Sequence, residues 1–170
     1  MDLVTLEEIR QVKYRYLRCI DLKLWDELAE VLTSDAVADY GTHAYSKPLK
    51  ITGRDEIVAF MRAKLGPDMI TVHSAGQPEI TVDGDTASGT WSFEDTVIAT
   101  EHRVVIKGAA FYRDRYERGG DGRWRISFTG YVRTYEAMMS LDDLPSFRII
   151  AKLDTDGAEA GADVADAAVR

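Results

Sequence analysis

Cysteine is nearly absent: Cys19 is the only one in 170 residues. An internal disulfide is therefore excluded, and on a helix a lone thiol reads as a small packing residue rather than a nucleophile. Positive charge is also short, with 21 Lys and Arg against 29 Asp and Glu, a net charge of −8 and a pI near 4.9. That balance lacks the clustered basic surface that grips phosphates, so no nucleic-acid partner is expected. No apolar run approaches the roughly 20 residues that span a bilayer. The start from Met1 to Glu8 has neither the basic head nor the apolar middle of a signal peptide, so a cytoplasmic protein without a membrane partner is expected. The three histidines show no His-x-x-x-His spacing and there is no Cys-x-x-Cys, so no metal site is expected. A Gly-x-Ser-x-Gly elbow, a Walker loop and a dinucleotide fingerprint are all missing too.

What is present is enough for one domain with a sizeable core, at 45% apolar and 29% charged residues. Ile9, Val12, Tyr16 and Ile20 recur at the spacing of one buried helix face. Thr5 and Glu8 have the pattern of a capping box. A second helix is expected from Leu22 to about Leu32, with Asp21 as its N-cap and Ile20 and Trp25 as a hydrophobic staple. Thr33-Ser34-Asp35 should stop it, and a short strand over Ala36–Tyr40 comes next. Pro48 to Gly53 reads as an edge strand, and Asp55 to Leu65 as a third helix closed by Gly66-Pro67.

Beyond that point the pattern turns to strands. Met69–Val82, Thr86–Thr100, Val104–Arg118 and Trp124–Tyr135 are rich in β-branched and aromatic residues and are separated by short turn signals, which predicts an antiparallel meander. Gly76-Gln77-Pro78 marks a kink or bulge in the first. The fold class is thus α+β, with helices on one face of a curved sheet. Residues 1–150 form the domain, with Met138–Ile150 docking on the body or on a second subunit. Residues 151–170, rich in Asp, Ala and Gly, are expected to be a disordered tail.

Several polar residues fall on apolar faces. Alternation puts Asp95 in a row with Trp91, Phe93 and Val97, where an unpaired carboxylate is costly; it needs a partner, a hydrated cavity or a bulge that turns it outward. His73 lies within a strand, either as a satisfied core histidine or as an acid–base group titrating near neutrality. Tyr16 points inward from the first helix, as a core tyrosine or a hydroxyl donor. Asp21 is a cap or a pocket carboxylate. Arg133 has the parity of Arg125, Ser127 and Thr129, opposite to Trp124, Ile126 and Phe128. It reads as a surface residue unless a bulge near Gly130 turns it inward.

Taken together, three helices, Asp21-x-x-x-Trp25-Asp26, Asp35-Ala-Val37, Gly53-Arg-Asp-Glu-Ile57, His73 with Pro78-Glu-Ile80, Gly84-Asp-Thr-Ala87 and Gly122-Arg-Trp-Arg-Ile126 resemble the SnoaL-like branch of the nuclear transport factor 2-like superfamily. The resemblance runs from about Leu3 to Met138. It implies a cone-shaped α+β barrel, open at one end, whose three helices cover the concave face of the sheet around an apolar pocket. Members include scytalone dehydratase, bile-acid 7-alpha-dehydratase, ketosteroid isomerases and polyketide cyclases, none needing a cofactor for this chemistry. In the bile-acid 7-alpha-dehydratase group a tyrosine, an aspartate five residues on, a strand histidine, a strand aspartate and a late arginine form the site. Tyr16, Asp21, His73, Asp95 and Arg133 match that order and become the catalytic candidates. The second histidine of scytalone dehydratase has no counterpart around Lys107-Gly-Ala-Ala110. The implied activity is a cofactor-independent dehydratase acting on a small apolar polycyclic or steroid-like carbonyl compound, in a homo-oligomer (dimer or trimer). An isomerase, a cyclase or a non-catalytic binding or assembly domain are the alternatives.

Overall fold

The computed structural model describes residues 2–42 and 49–155. Helix α1 (Leu3–Asp21) is capped by Asp2, which accepts from the Val4 amide and the Thr5 hydroxyl. Thr5 is thus a donor to the cap, and the expected Thr5–Glu8 box does not form. Ile9, Val12, Tyr16, Leu17 and Ile20 are buried along one face. Asp21 is the last helical residue of α1 rather than the cap of the next helix. The short α2 (Trp25–Glu30) opens at Leu24 with no side-chain cap. Strand β1 (Leu32–Tyr40) starts directly after it, so Thr33-Ser34-Asp35 belong to the strand and do not stop a helix. Then come β2 (Leu49–Thr52), α3 (Arg54–Lys64), β3 (Met69–Asp83), β4 (Thr86–Ala99), β5 (Val104–Arg118) and β6 (Trp124–Ser140).

The strands form one curved, unclosed six-stranded sheet in the order β2-β1-β6-β5-β4-β3. The meander β3 to β6 is antiparallel throughout, while β1 lies parallel to β6. That parallel pairing is the part of the sheet a meander pattern does not foretell, because it joins strands far apart in the chain. The apolar face of α1 packs with Trp91, Phe93, Tyr112, Tyr116 and Ile126 from the sheet, and with Ile57 and Met61 of α3, in one core. The expected kink in β3 is present: the register slips between Gly76 and Glu79, and Gln77 takes a left-handed φ of 50°.

Two bulges on β6 set the site. Arg115 faces Phe128 while Tyr116 faces Ile126, so Ser127 is an extra residue. Ala109 faces Tyr135 while Ala110 faces Arg133, so Thr134 is another. Each extra residue flips the inward parity of the strand residues beyond it. The first carries Thr129, Tyr131 and Arg133 to the inner face, and the second restores Glu136 to it.

Among the described residues after β6, only Leu141, in a 3-10 turn over Leu141–Asp143, is buried. Met138, near the end of β6, and Ile150 are exposed. The Lys152 amine does reach the Pro67 carbonyl. The expected tail lies mostly outside the described residues, as does His43. Among the described residues no helix is long and apolar enough to cross a membrane.

Candidate functional site

The site is a single row across four strands. His73 on β3 faces Asp95 on β4, Asp95 faces Gly108 on β5, and Gly108 faces Glu136 on β6. All four positions lie on the inner face of the sheet.

His73 is held from behind by Asp21. The Nδ1 atom lies 2.6 Å from Asp21 Oδ1, and the His73 amide donates to Asp21 Oδ2 at 2.9 Å. A carboxylate only accepts, so Nδ1 carries the proton and Nε2 is the nitrogen left to meet a ligand. The ring stacks on Phe93, with centroids 5.8 Å apart. Asp21 can reach across because α1 ends on it, so its side chain leaves the helix toward β3. The Thr71 hydroxyl donates to Asp21 Oδ1 at 2.9 Å and accepts from the Lys23 amine at 3.1 Å. Burial pushes the Lys23 amine down to about 8, against the pull of Asp21.

The second charged group is Arg133, whose Nη1 and Nη2 donate to the two oxygens of Asp95 at 2.6 and 2.8 Å. Its Nε lies 2.9 Å from Glu136 Oε2, which also accepts from the Thr42 hydroxyl. The guanidinium sits over the rings of Tyr131 and Phe93. Gly108 makes this possible, since a Cβ there would stand 2.5 Å from Arg133 Nη1 and 2.9 Å from Asp95 Oδ1. The side-chain exposures of Arg133 and Asp95 are 7% and 5%, so Asp95 keeps its inward place and finds a partner. The outward reading of Arg133 is overturned, because the bulge at Ser127 reverses its parity.

Tyr16 meets Tyr40, hydroxyl to hydroxyl, at 2.6 Å. Burial raises the Tyr16 and Tyr40 phenols well above their ordinary value, and Tyr131 is pushed up to about 12 by the same cause. These hydroxyls therefore stay protonated and can donate. A cavity of about 140 Å³ is walled by Tyr16, Tyr40, His73, Tyr112 and Tyr131, with Ile20, Phe60, Met69 and Val97 among its apolar walls. Asp21 lies behind the His73 wall. Asp95 and Arg133 do not line it; Arg133 meets it through Tyr131, over whose ring the guanidinium sits. Larger grooves of about 770 Å³ and 540 Å³ open elsewhere, but neither is lined by His73 or Tyr16, so the chemistry points to the smaller one.

The structure thus brings Tyr16, Asp21, His73, Asp95 and Arg133 into one neighbourhood. Sequence reasoning missed Tyr40, although it shares the parity of the buried Ala36 and Ala38 on β1. It also missed Tyr131, which the bulge at Ser127 hides, Glu136, which lies one residue past the expected end of the strand, and Lys23 and Thr71, which only the fold joins. Among the described residues no group of three or more His, Cys, Asp or Glu side chains is placed to hold a metal ion.

Residues 2–129 match the SnoaL-like domain family. An uncharacterised protein of Mycobacterium tuberculosis (strain ATCC 25618 / H37Rv) is 32% identical over 134 residues, covering 78% of this chain and 87% of that protein. Among solved structures, hexachlorocyclohexane dehydrochlorinase LinA-type3 from Novosphingobium barchaimii LL02 aligns with a TM-score of 0.69 at 19% identity, over 81% of this chain and 91% of its own. A candidate scytalone dehydratase from Novosphingobium aromaticivorans DSM 12444 aligns with a TM-score of 0.69 at 20% identity, over 79% of this chain and 87% of its own. At those identities the two structures speak for a shared fold.

Proposed function

The chain belongs to the SnoaL-like domain family, and from that premise we propose that it is a lyase of the dehydratase kind. It removes water from a hydroxylated cyclic carbonyl compound by acid–base chemistry and without a cofactor. The observation that carries this reading is the 2.6 Å contact between His73 Nδ1 and Asp21, with the same imidazole on the cavity wall. In this reading Nε2 takes the proton from the carbon beside the carbonyl. The C–H electron pair moves toward the carbonyl oxygen, where the Tyr16 hydroxyl, backed by Tyr40, donates as charge develops. The same pair then forms the C=C bond as the C–O bond to the hydroxyl breaks. The imidazolium returns its proton to the departing oxygen, and water leaves. Asp21 holds the tautomer and offsets the imidazolium charge.

Asp95 and Arg133 act as a neutralised pair that fixes the wall at Tyr131. Because both terminal nitrogens of Arg133 are committed to Asp95, a second carboxylate on the substrate is not its natural partner. The 140 Å³ cavity is below the roughly 300–1,000 Å³ of usual ligand pockets. It suits one ring near His73, and a steroid-sized substrate would extend beyond it. The named relatives, a dehydrochlorinase and a candidate scytalone dehydratase, share with this proposal the loss of a small leaving group. The Tyr16–Tyr40 pair would serve an isomerase equally well, since isomerisation begins with the same proton abstraction.

A panel of hydroxy-enones and cyclic polyketide carbonyls, monitored by mass and ultraviolet absorbance, separates these readings. A dehydratase gives loss of water, and an isomerase gives a changed spectrum at constant mass. A binding domain gives a shifted melting temperature and neither change. On a substrate so found, His73→Asn lowers the rate about a hundredfold to ten-thousandfold, while binding, driven by apolar burial, changes far less. An undiminished rate in His73→Asn at every pH would defeat the mechanism.

A further inference from the structure

We propose that Lys23 is a positioning residue for the Asp21–His73 pair, acting through the Thr71 hydroxyl. The inference rests on the reading of His73 as the base, and it starts from a backbone oddity. Helix α1 closes with the Leu24 amide on the Cys19 carbonyl at 2.8 Å and the Lys23 amide on the Ile20 carbonyl at 3.3 Å. That pair of bonds puts Lys23 at the position where helices turn left-handed, and its φ is 61°. Glycine takes this conformation without strain, whereas a lysine Cβ does not. A lysine on such a turn would ordinarily run its amine out to water. Here the residue is only 9% exposed, and its amine donates to Thr71, itself 5% exposed. The chain therefore tolerates both backbone strain and a desolvated amine at one residue, and what it gains is the contact with Thr71.

That contact gives the network a direction. An ammonium has no lone pair to offer, so Thr71 Oγ1 must accept from it. The threonine proton then turns to Asp21 Oδ1, which can only accept. Asp21 Oδ1 also faces His73 Nδ1, and Oδ2 takes the His73 amide. The carboxylate is thereby fixed at both oxygens, and the imidazole is held with its proton on Nδ1. Without Lys23 the Thr71 hydroxyl is a free rotor, and one of the constraints on Asp21 is lost. Bonds in such a chain also polarise one another in the same sense.

The test reads the histidine directly. Lys23→Gly removes the amine and relieves the left-handed strain in one step, so its melting temperature should stay within about 3 °C of the wild type. In nitrogen-15 labelled protein at neutral pH, wild-type His73 should show a single tautomer with a downfield Nδ1 proton. Lys23→Gly should show mixed tautomers and lose that downfield line. Thr71→Val, which keeps the shape and removes the hydroxyl, should do the same, and Thr71→Ser should restore the wild-type signature. The threonine pair decides the matter should the glycine variant fold poorly. A wild-type His73 signature in folded Lys23→Gly, or in Thr71→Val, overturns the proposal and leaves Lys23 as a tie between a turn and a strand. This measurement needs no substrate, so it stands even if no turnover is ever found and the lyase reading falls. Where a substrate is in hand, kcat in Lys23→Gly should drop about tenfold with KM unchanged, the size expected for a partner one shell out from a functional histidine. An unaltered kcat overturns the proposal equally.

Discussion

Along the inward face of β5, Gly108 and Asp114 each mark a buried ion pair, roughly 20 Å apart at strand spacing. At the Gly108 end, Arg133 lies between Asp95 and Glu136 and shares Phe93 with His73. At the Asp114 end, the Lys13 amine is 2.8 Å from Asp114 with both side chains fully buried. It also stands 3.2 Å from the centroid of Tyr112. Tyr116 donates to the same carboxylate and accepts from the Trp91 indole. By burial and charge the Lys13 pair is the more extreme of the two, and burial pushes the Lys13 amine down despite Asp114. Yet neither Lys13 nor Asp114 lines the cavity, and among the described residues no histidine shares their row. A buried charge pair is therefore a poor marker of a site by itself. What distinguishes the Gly108 end is an imidazole with a carboxylate behind it and a cavity before it.

The largest expected effect falls at the Asp114 end. Lys13→Met leaves Asp114 buried without its cation, which typically costs about 3–5 kcal/mol. Denaturant unfolding should show that loss, and adding Asp114→Asn should recover part of it. At a temperature where Lys13→Met is folded, turnover should persist. A variant with intact stability and abolished turnover would break the comparison, because the Asp114 end would then be part of the machinery.

Gly108→Ala probes the other end. The new methyl group must displace the guanidinium or the Asp95 carboxylate, since the clash at 2.5 Å is with Arg133 Nη1. Overpacking of this kind costs about 1–3 kcal/mol. Because the displaced groups adjoin His73, activity should fall by more than the loss of folded protein explains. A wild-type rate in folded Gly108→Ala would show that the Asp95–Arg133 geometry is irrelevant to the chemistry.

The readability of the sequence divides along the same line. Helical and strand periodicity located α1, α3 and the four-stranded meander, and strand alternation put Asp95 on the inner face. These rest on local pattern, which is where period and burial are coupled. Asp21 was ambiguous because a carboxylate at a helix boundary serves a cap and a pocket alike; the choice rests on β3, which lies some fifty residues away in sequence. Arg133 was misplaced because nothing in Trp124–Arg133 announces an extra residue at Ser127. A bulge is a decision of the pairing, taken between two strands, and simple alternation carries straight through it. The resemblance to a family names Arg133 as a candidate regardless of parity, and the bulge at Ser127 turns it inward onto Asp95. The Lys13–Asp114 pair, on α1 and β5, went unseen because nothing local in either segment signals the other.

A third buried cation supplies the smallest effect and the finest test of the comparison. Lys13 faces a full negative charge, whereas Lys23 is bonded to a neutral hydroxyl, with Asp21 one step further on. Burial therefore outweighs attraction at Lys23 and brings its amine from an ordinary 10.5 down to about 8. Between those values the unfolded chain holds a proton that the folded chain has released. Folding is then favoured by raising the pH through that window, and the gain fades as the pH falls back through about 8. In Lys23→Met this contribution is gone. Urea unfolding of both proteins at several values from pH 7.5 to 10 should show the wild type gaining on the variant as pH rises. The slope should be at most about 1.4 kcal/mol per pH unit, the value for one whole proton. Parallel curves would mean that the Lys23 amine keeps its charge throughout, and that it is better solvated than its place between α1 and β3 implies.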